Sequence, residues 1–145
     1  MIHEILPVGL LQCNCSILGD ETSREAIVID PGDDITRIVA LLAKHQLTVK
    51  QIIITHAHID HIAGALRLKE ITGAPILYNQ LDLPLVKMMD IQAGWLGIPT
   101  PKVSAPDEDL RDGQTISIVG LTGSVIHTPA TPRAAAAFTS PIKPS

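Results

Sequence analysis

Four side chains of metal-binding type lie within one six-residue window of the sequence: His56, His58, Asp60 and His61. Imidazole nitrogens and carboxylate oxygens suit zinc, iron and manganese. His56 and His58 can aim at one point from an extended loop, because they are two residues apart. Asp60 and His61 follow where the chain begins to turn, so they can aim at a neighbouring point. Two adjacent metal ions would polarise a carbonyl and lower the pKa of a bridging water, and Asp60 could both bind a metal and take up the proton of that water.

Simpler interpretations of this window stay open. A solvated polar loop could contain the same residues, with Asp60 capping a helix that begins near Ile62. A structural metal bound by these four residues alone is a further alternative, although consecutive loop residues rarely surround one ion tetrahedrally. Asp30, in the segment Ile29-Asp30-Pro31-Gly32, is either a turn former or a residue that orients a ligand histidine.

The window lies between a strand and a helix of a chain whose pattern is that of the α/β class. The unbroken β-branched run 52–54 is typical of a strand that is buried on both faces. The window follows this strand directly, at the end of the strand where α/β sheets place ligand sites. Strands are predicted at residues 15–18, 26–29, 49–55, 74–78, 115–119 and 124–127, and helices at residues 35–45, 62–72 and 81–93.

Length and composition predict a single small domain with an aliphatic core. The chain has 145 residues, of which 46% are hydrophobic and only 2% are aromatic. Its formal net charge of -4, without a basic stripe, argues against a nucleic-acid partner. The sequence shows neither a secretory signal nor an apolar stretch long enough to span a bilayer, so a cytoplasmic protein without membrane contact is expected.

The two cysteines, Cys13 and Cys15, are two residues apart in a strand-like run. Alternation along a strand would put both on one face, but a disulfide at this spacing would be strained. We interpret them as reduced, buried thiols, as expected in the cytosol. A Cys-x-Cys metal site is the alternative, but the sequence offers no second pair of ligands for it.

The segment Thr55-His56-Ala57-His58-Ile59-Asp60-His61 resembles the His-x-His-x-Asp-His signature of the metallo-β-lactamase superfamily. Residues 11–15 and 126–129 are similar to the glyoxalase II-like branch, whose members hydrolyse thioesters such as hydroxyacyl-glutathione. The resemblance, which covers roughly residues 1–129, implies the N-terminal part of an αββα sandwich. It also implies two zinc ions, with iron or manganese as alternatives, and a small-molecule thioester substrate.

By that resemblance His56 and His58 bind the first metal. Asp60, the expected catalytic residue, and His61 bind the second.

The resemblance ends after Pro129. The branch typically continues Gly-His-Thr-Pro-Gly-Ser, with a further metal ligand at that histidine, whereas residues 130–135 read Ala-Thr-Pro-Arg-Ala-Ala. Loss of one G from a coding sequence GGC CAC ACC CCG GGC AGC produces this reading. The sequence therefore predicts an incomplete domain at 1–129 and an out-of-frame, disordered tail at 130–145, caused by a one-nucleotide deletion or a sequence error.

Such a chain would retain two ligands for each metal. It would also lack the strands that normally cover one edge of the sheet, and an open edge favours self-association. A truncated, catalytically inactive metal-binding fragment is therefore the alternative to an active hydrolase.

Overall fold

The computed structural model describes residues 2–110 in full and the backbone of three further strands, at 115–118, 121–127 and 134–139. The strands are β1 (Ile2–Val8), β2 (Cys13–Gly19), β3 (Glu25–Ile29), β4 (Thr48–Ile53), β5 (Ile76–Tyr78), β6 (Glu108–Asp109), β7 (Thr115–Ile118), β8 (Leu121–His127) and β9 (Ala134–Thr139). The helices are α1 (Ile35–Lys44), α2 (Ile59–Ile62), α3 (Ala65–Thr72), α4 (Leu83–Val86) and α5 (Met89–Leu96), and a 3-10 turn spans Gln80–Asp82.

Six strands form one mixed sheet in the order β1-β2-β3-β4-β5-β6. Strand β2 is antiparallel to its two neighbours, β1 and β3, and strands β3 to β6 run parallel. The parallel strands are connected through the helices, as expected for crossover connections. The second sheet is antiparallel, in the order β7-β8-β9. These elements confirm the predicted α/β class, and β2 and β3 form a hairpin.

An aliphatic core lies against β4, the strand that leads into the predicted metal-binding window. Ile52 and Ile53 are both fully buried, in agreement with the β-branched run that predicted a central strand. Ile38 of α1 and Leu68 of α3 both pack into this core. Tyr78, at the end of β5, is the aromatic residue of this core among the residues described in full.

The predicted helix 62–72 is interrupted at residues 63–64, so that α2 ends at Ile62 and α3 begins at Ala65. An added Cβ at Gly64, between the two helices, would lie 2.6 Å from the carbonyl oxygen of Pro31. Gly73 ends α3 as its C-terminal cap, in a left-handed conformation with a φ of +76°. Pro84 lies in the first turn of α4, and a separate helix, α5, follows it instead of one continuous helix.

The start of α1 lacks the capping hydrogen bond that an aspartate commonly provides. Asp34 is the N-cap residue, but its backbone is left-handed, with a φ of +55°, and its side chain makes no capping hydrogen bond. Its carboxylate accepts a hydrogen bond from the backbone N–H of Gly9 instead, at 3.0 Å. The helix start is therefore tied to the turn between β1 and β2.

Strands β1, β6 and β9 were not predicted. The last of them, Ala134–Thr139, falls within the predicted disordered tail and pairs with β8. Residues 128–133 and 140–145 lie outside the described residues, so the domain boundary at 129 stays a prediction. None of the helices in the described part of the chain has the length and apolar character needed to cross a membrane.

Candidate metal centre

The predicted metal-binding window forms an extended loop between β4 and α2. Ala57 and Ile59 are buried, whereas His56 and His58, which alternate with them, are half-buried. This alternation is the geometry of an extended chain, whose successive side chains point to opposite sides. Asp60 lies inside the first turn of α2, and the N-cap residue is His58. The alternative in which Asp60 merely caps a helix beginning near Ile62 is therefore wrong.

Three backbone N–H groups of this loop donate hydrogen bonds to side chains that are 25 to 33 residues away. In a sheet, the carbonyl groups of a neighbouring strand would accept these hydrogen bonds. Here side chains accept them instead, so the loop stays extended beyond the end of β4. The pairs are Thr55 N to Asp30 Oδ1 (2.8 Å), Ala57 N to Asp82 Oδ2 (3.0 Å) and Ile59 N to Gln92 Oε1 (2.8 Å).

The structure brings the three predicted histidine ligands together. Ring centroids are 6.0 Å apart for His56 and His58, 5.4 Å for His56 and His61, and 6.3 Å for His58 and His61. Two imidazoles on one tetrahedral ion have centroids about 5 Å apart, given metal–nitrogen bonds of ~2.0 Å. Small side-chain rotations would therefore suffice for binding, and the donor set fits a transition-metal ion. Metal ligation by these residues stays a prediction.

His61 lies between two carboxylates, one at each ring nitrogen. Its Nδ1 is 2.9 Å from Oδ2 of Asp30, and its Nε2 is 3.4 Å from Oδ2 of Asp60. Burial opposes the charged imidazolium, but hydrogen bonds with Asp30 and Cys13 outweigh this effect and raise the pKa of His61 to about 10. This position therefore favours positive charge, whether it is carried by a proton or by a metal ion.

Asp30 is more than a turn former. It ends β3 in a left-handed conformation, with a φ of +56°. Its Oδ2 accepts a hydrogen bond of 2.6 Å from the hydroxyl of Thr55 and also contacts His61. Asp30 is only 5% exposed, and both oxygens of its carboxylate take part in hydrogen bonds. Of the two interpretations that the sequence left open, the geometry therefore favours a residue that orients a histidine.

Both cysteines are free and buried, as predicted. Cys15 is fully buried, and burial holds the pKa of its thiol far above the ordinary value, with the nearby charge of Asp30 as a smaller cause. The thiol of Cys13 lies 3.5 Å from Nδ1 of His61. Within the described residues, Cys13, Asp30 and His61 are the group whose ligand atoms all lie within 4.8 Å of one another.

Sequence reasoning missed the two side chains that hold the middle and the end of the loop. Asp82 and Gln92 are 2% and 5% exposed. Gln92 also donates a hydrogen bond to the carbonyl of Leu85, at 2.9 Å, so both ends of its amide are used. The available signal was that both are polar residues in the segment 81–93, which is largely apolar. That signal does not identify the backbone N–H groups that they bind.

A cavity of about 510 Å³ borders Asp60. Its lining combines exposed apolar side chains, among them Leu10 and Leu11 from the turn after β1, with the acidic side chains of Asp33 and Asp34 and the cationic side chain of Arg67. A small organic molecule with an apolar part and polar groups would match such a lining. The cavity thus places a binding space beside the predicted catalytic residue.

Comparison with known proteins shows a family relationship along most of the chain. The Metallo-beta-lactamase superfamily model matches residues 8–144, which extends beyond Pro129, where the sequence resemblance ended. The chain is 31% identical over 128 residues to a protein of Haemophilus influenzae named hydroxyacylglutathione hydrolase GloC, covering 87% of this chain and 60% of that protein.

Two solved structures extend the comparison to three dimensions. A protein crystallised in a di-iron-bound form superposes with a TM-score of 0.76 at 32% identity, covering 94% of this chain and 66% of that one. The B3 metallo-beta-lactamase BLEG-1 gives a TM-score of 0.82 at 25% identity, covering 96% and 67%. The six-stranded sheet and its helices match the N-terminal part of this fold, as predicted. The chain spans about 60% of the length of the curated relatives that it matches.

Proposed function

Because the chain belongs to the metallo-beta-lactamase superfamily, we propose that it is a metal-dependent hydrolase that cleaves a thioester such as a hydroxyacyl-glutathione. The observation that carries this proposal is that His56, His58 and His61 lie close together beside the carboxylate of Asp60. Buried side chains keep the loop that carries them extended. The relative named hydroxyacylglutathione hydrolase supports the substrate class. The relative with bound iron supports a metal centre.

We assign the metal-binding roles by the resemblance of residues 56–61 to the family signature His-x-His-x-Asp-His. His56 and His58 would hold one ion, and Asp60 with His61 would hold a second, with zinc as the expected metal and iron or manganese as alternatives. A divalent cation supplies a Lewis acid that polarises the thioester carbonyl and makes water acidic enough to attack near neutral pH. Asp30 would keep Nδ1 of His61 engaged, so that Nε2 remains available on the side of Asp60.

Asp60 would accept the proton released when water attacks. Its Oδ2 lies beside Nε2 of His61, and the cavity begins at this residue. The apolar turn residues Leu10 and Leu11 would contact the acyl part of the substrate, and Arg67 would pair with a carboxylate of the thiol part. The free cysteines support a cytoplasmic location, where thiols remain reduced.

Two measurements on the purified chain test this proposal. Elemental analysis should find about two transition-metal ions per chain, as a binuclear site requires. Loss of thioester absorbance with lactoyl-glutathione should follow metal loading. His56→Ala should remove turnover and lower the metal content, whereas His3→Ala, at an exposed position on β1, should leave both unchanged.

The same measurements separate the alternative function. A chain that takes up metal through His56 but never hydrolyses the thioester would be an inactive metal-binding protein. A chain whose His56→Ala variant retains full metal content and turnover would contradict the proposed site altogether.

A further inference from the structure

The thiol of Cys13 has no role in the proposed hydrolysis, yet it lies in a cluster of three different metal-binding groups. Cys13 comes from the start of β2, Asp30 from the end of β3 and His61 from α2. Their donor atoms are Sγ, Oδ2 and Nδ1, which all lie within 4.8 Å of one another. We propose that these three side chains form a second, inner binding site for a single thiophilic divalent cation such as Zn²⁺ or Cd²⁺.

The distances within this inner site approach those of a tetrahedral ion. Zinc bonds of ~2.3 Å to sulfur and ~2.0 Å to nitrogen place those two ligand atoms about 3.5 Å apart. The distance from Sγ of Cys13 to Nδ1 of His61 is 3.5 Å. An oxygen and a nitrogen ligand would be about 3.3 Å apart. Oδ2 of Asp30 is 2.9 Å from the same nitrogen, so it has to retreat by a few tenths of an ångström.

The cluster is already organised by contacts that do not involve a cation. Asp30 is held by the backbone N–H and the hydroxyl of Thr55, at 2.8 and 2.6 Å. Such preorganisation lowers the cost of assembling a site. Cys13, at 9% exposure, lies at the margin of the core, whereas Cys15 is fully buried and is not a member of the cluster. Of the Cys-x-Cys pair, only the first cysteine is therefore placed to bind.

Sulfur makes the inner site chemically distinct from the proposed hydrolytic site, which is called the outer site and consists of His56, His58, Asp60 and His61. The predicted outer ligands are imidazoles and a carboxylate, which accept many transition metals, whereas a thiolate selects zinc, cadmium and other soft cations. Both sites involve His61, through Nδ1 inside and Nε2 outside. A neutral imidazole has one unprotonated nitrogen. A cation in the inner site should therefore compete with a cation bound at Nε2.

Cadmium titration of the full chain tests the inner site. A cadmium–thiolate bond produces an ultraviolet charge-transfer band, and the chain has only 2 cysteines, so the band reports on Cys13 or Cys15 alone. We expect wild-type protein to develop this band with one cadmium ion, and Cys13→Ser to lose it. Cys15→Ala should retain the band with unchanged intensity. A urea unfolding curve for each variant establishes that the protein under test is folded.

A variant of the outer site keeps this result separate from the proposed function. His56→Ala should retain the cadmium band, because His56 is not a member of the inner site. The inner site is refuted if wild-type protein shows no band, if Cys13→Ser retains it, or if His56→Ala abolishes it. Since the band requires no turnover, a catalytically inactive chain can still pass this test.

Discussion

Gly32 packs directly against the backbone of α2, which carries two of the predicted metal ligands. A Cβ at this position would lie 1.7 Å from the carbonyl oxygen of Asp60 and 2.6 Å from its carbonyl carbon. Real Cβ atoms do not approach such atoms within 3.0 Å, so Gly32→Ala must displace the segment containing Asp60 and His61 by about 1.3 Å.

This displacement is large compared with the contacts that orient His61. Moving His61 away from β3 lengthens its 2.9 Å contact with Asp30 to about 4 Å, beyond hydrogen-bond range. Loss of such an orienting contact typically weakens metal binding ~10- to 100-fold. Overpacking at a site with no space should also lower the free energy of unfolding by about 3 kcal/mol.

Gly94→Ala is the matched control, because it introduces the same methyl group into α5, where nothing lies within 4 Å of the added carbon. Calorimetric zinc titration and urea unfolding should show unchanged affinity for this variant and a stability equal to wild type or higher by about 1 kcal/mol. If Gly32→Ala binds zinc as tightly as Gly94→Ala does, the close packing of Gly32, in the turn after β3, against α2 does not position the site and our reasoning is wrong.

Three further predictions concern the supports of the loop and the core. Asp82→Ala leaves the buried N–H of Ala57 without its 3.0 Å acceptor, so urea unfolding should show a loss of about 2 kcal/mol. Thr55→Val removes the 2.6 Å hydroxyl contact to Asp30 but retains the backbone contact, so zinc affinity should fall less than in Gly32→Ala, by ~10-fold. Burial raises the pKa of Tyr78 from 10.0 to about 12. The unfolded chain ionises first, so the contribution of Tyr78 to stability is complete below pH 10 and is lost as the pH rises to about 12, by about 3 kcal/mol in total. Ultraviolet titration of native and unfolded protein measures the two pKa values, because the chain has a single tyrosine.

Elements with a strong local pattern were predictable from the sequence, and elements that depend on distant partners were not. Helix α1 has regularly spaced apolar residues, and the run at Ile52 indicates a buried strand, so both were found with bounds close to those observed. Strand β6 has only 2 residues and exists through its pairing with β5. The close approach of Pro31 to Gly64, between α2 and α3, joins residues that are distant in the sequence, and no local pattern encodes it.

The candidate site divides in the same way. The three histidines and Asp60 could be predicted as site residues from their residue types and their spacing. The contact between Cys13 and His61 joins residues 48 positions apart, and nothing near Cys13 in the sequence indicates it. The hydrogen bonds from the loop to Asp82 and Gln92 likewise depend on where α4 and α5 pack.

The spacing His-x-His-x-Asp-His requires an extended chain followed at once by a helix. The hydrogen bond from Ile54 N to Leu77 O, at 2.9 Å, is the last one from this segment to the neighbouring strand β5. Beyond it, each alternate N–H would be buried without an acceptor, and a buried unpaired N–H costs about 1–3 kcal/mol. The buried side chains of Asp30, Asp82 and Gln92 accept these groups, which keeps the loop extended and turns His56 and His58 to the opposite side. Helix α2 then begins at Ile59 and changes the direction in which the next side chains point. The extended chain followed at once by a helix is therefore held by acceptors that the fold supplies, and these acceptors come from residues that are 25 to 33 positions away in the sequence.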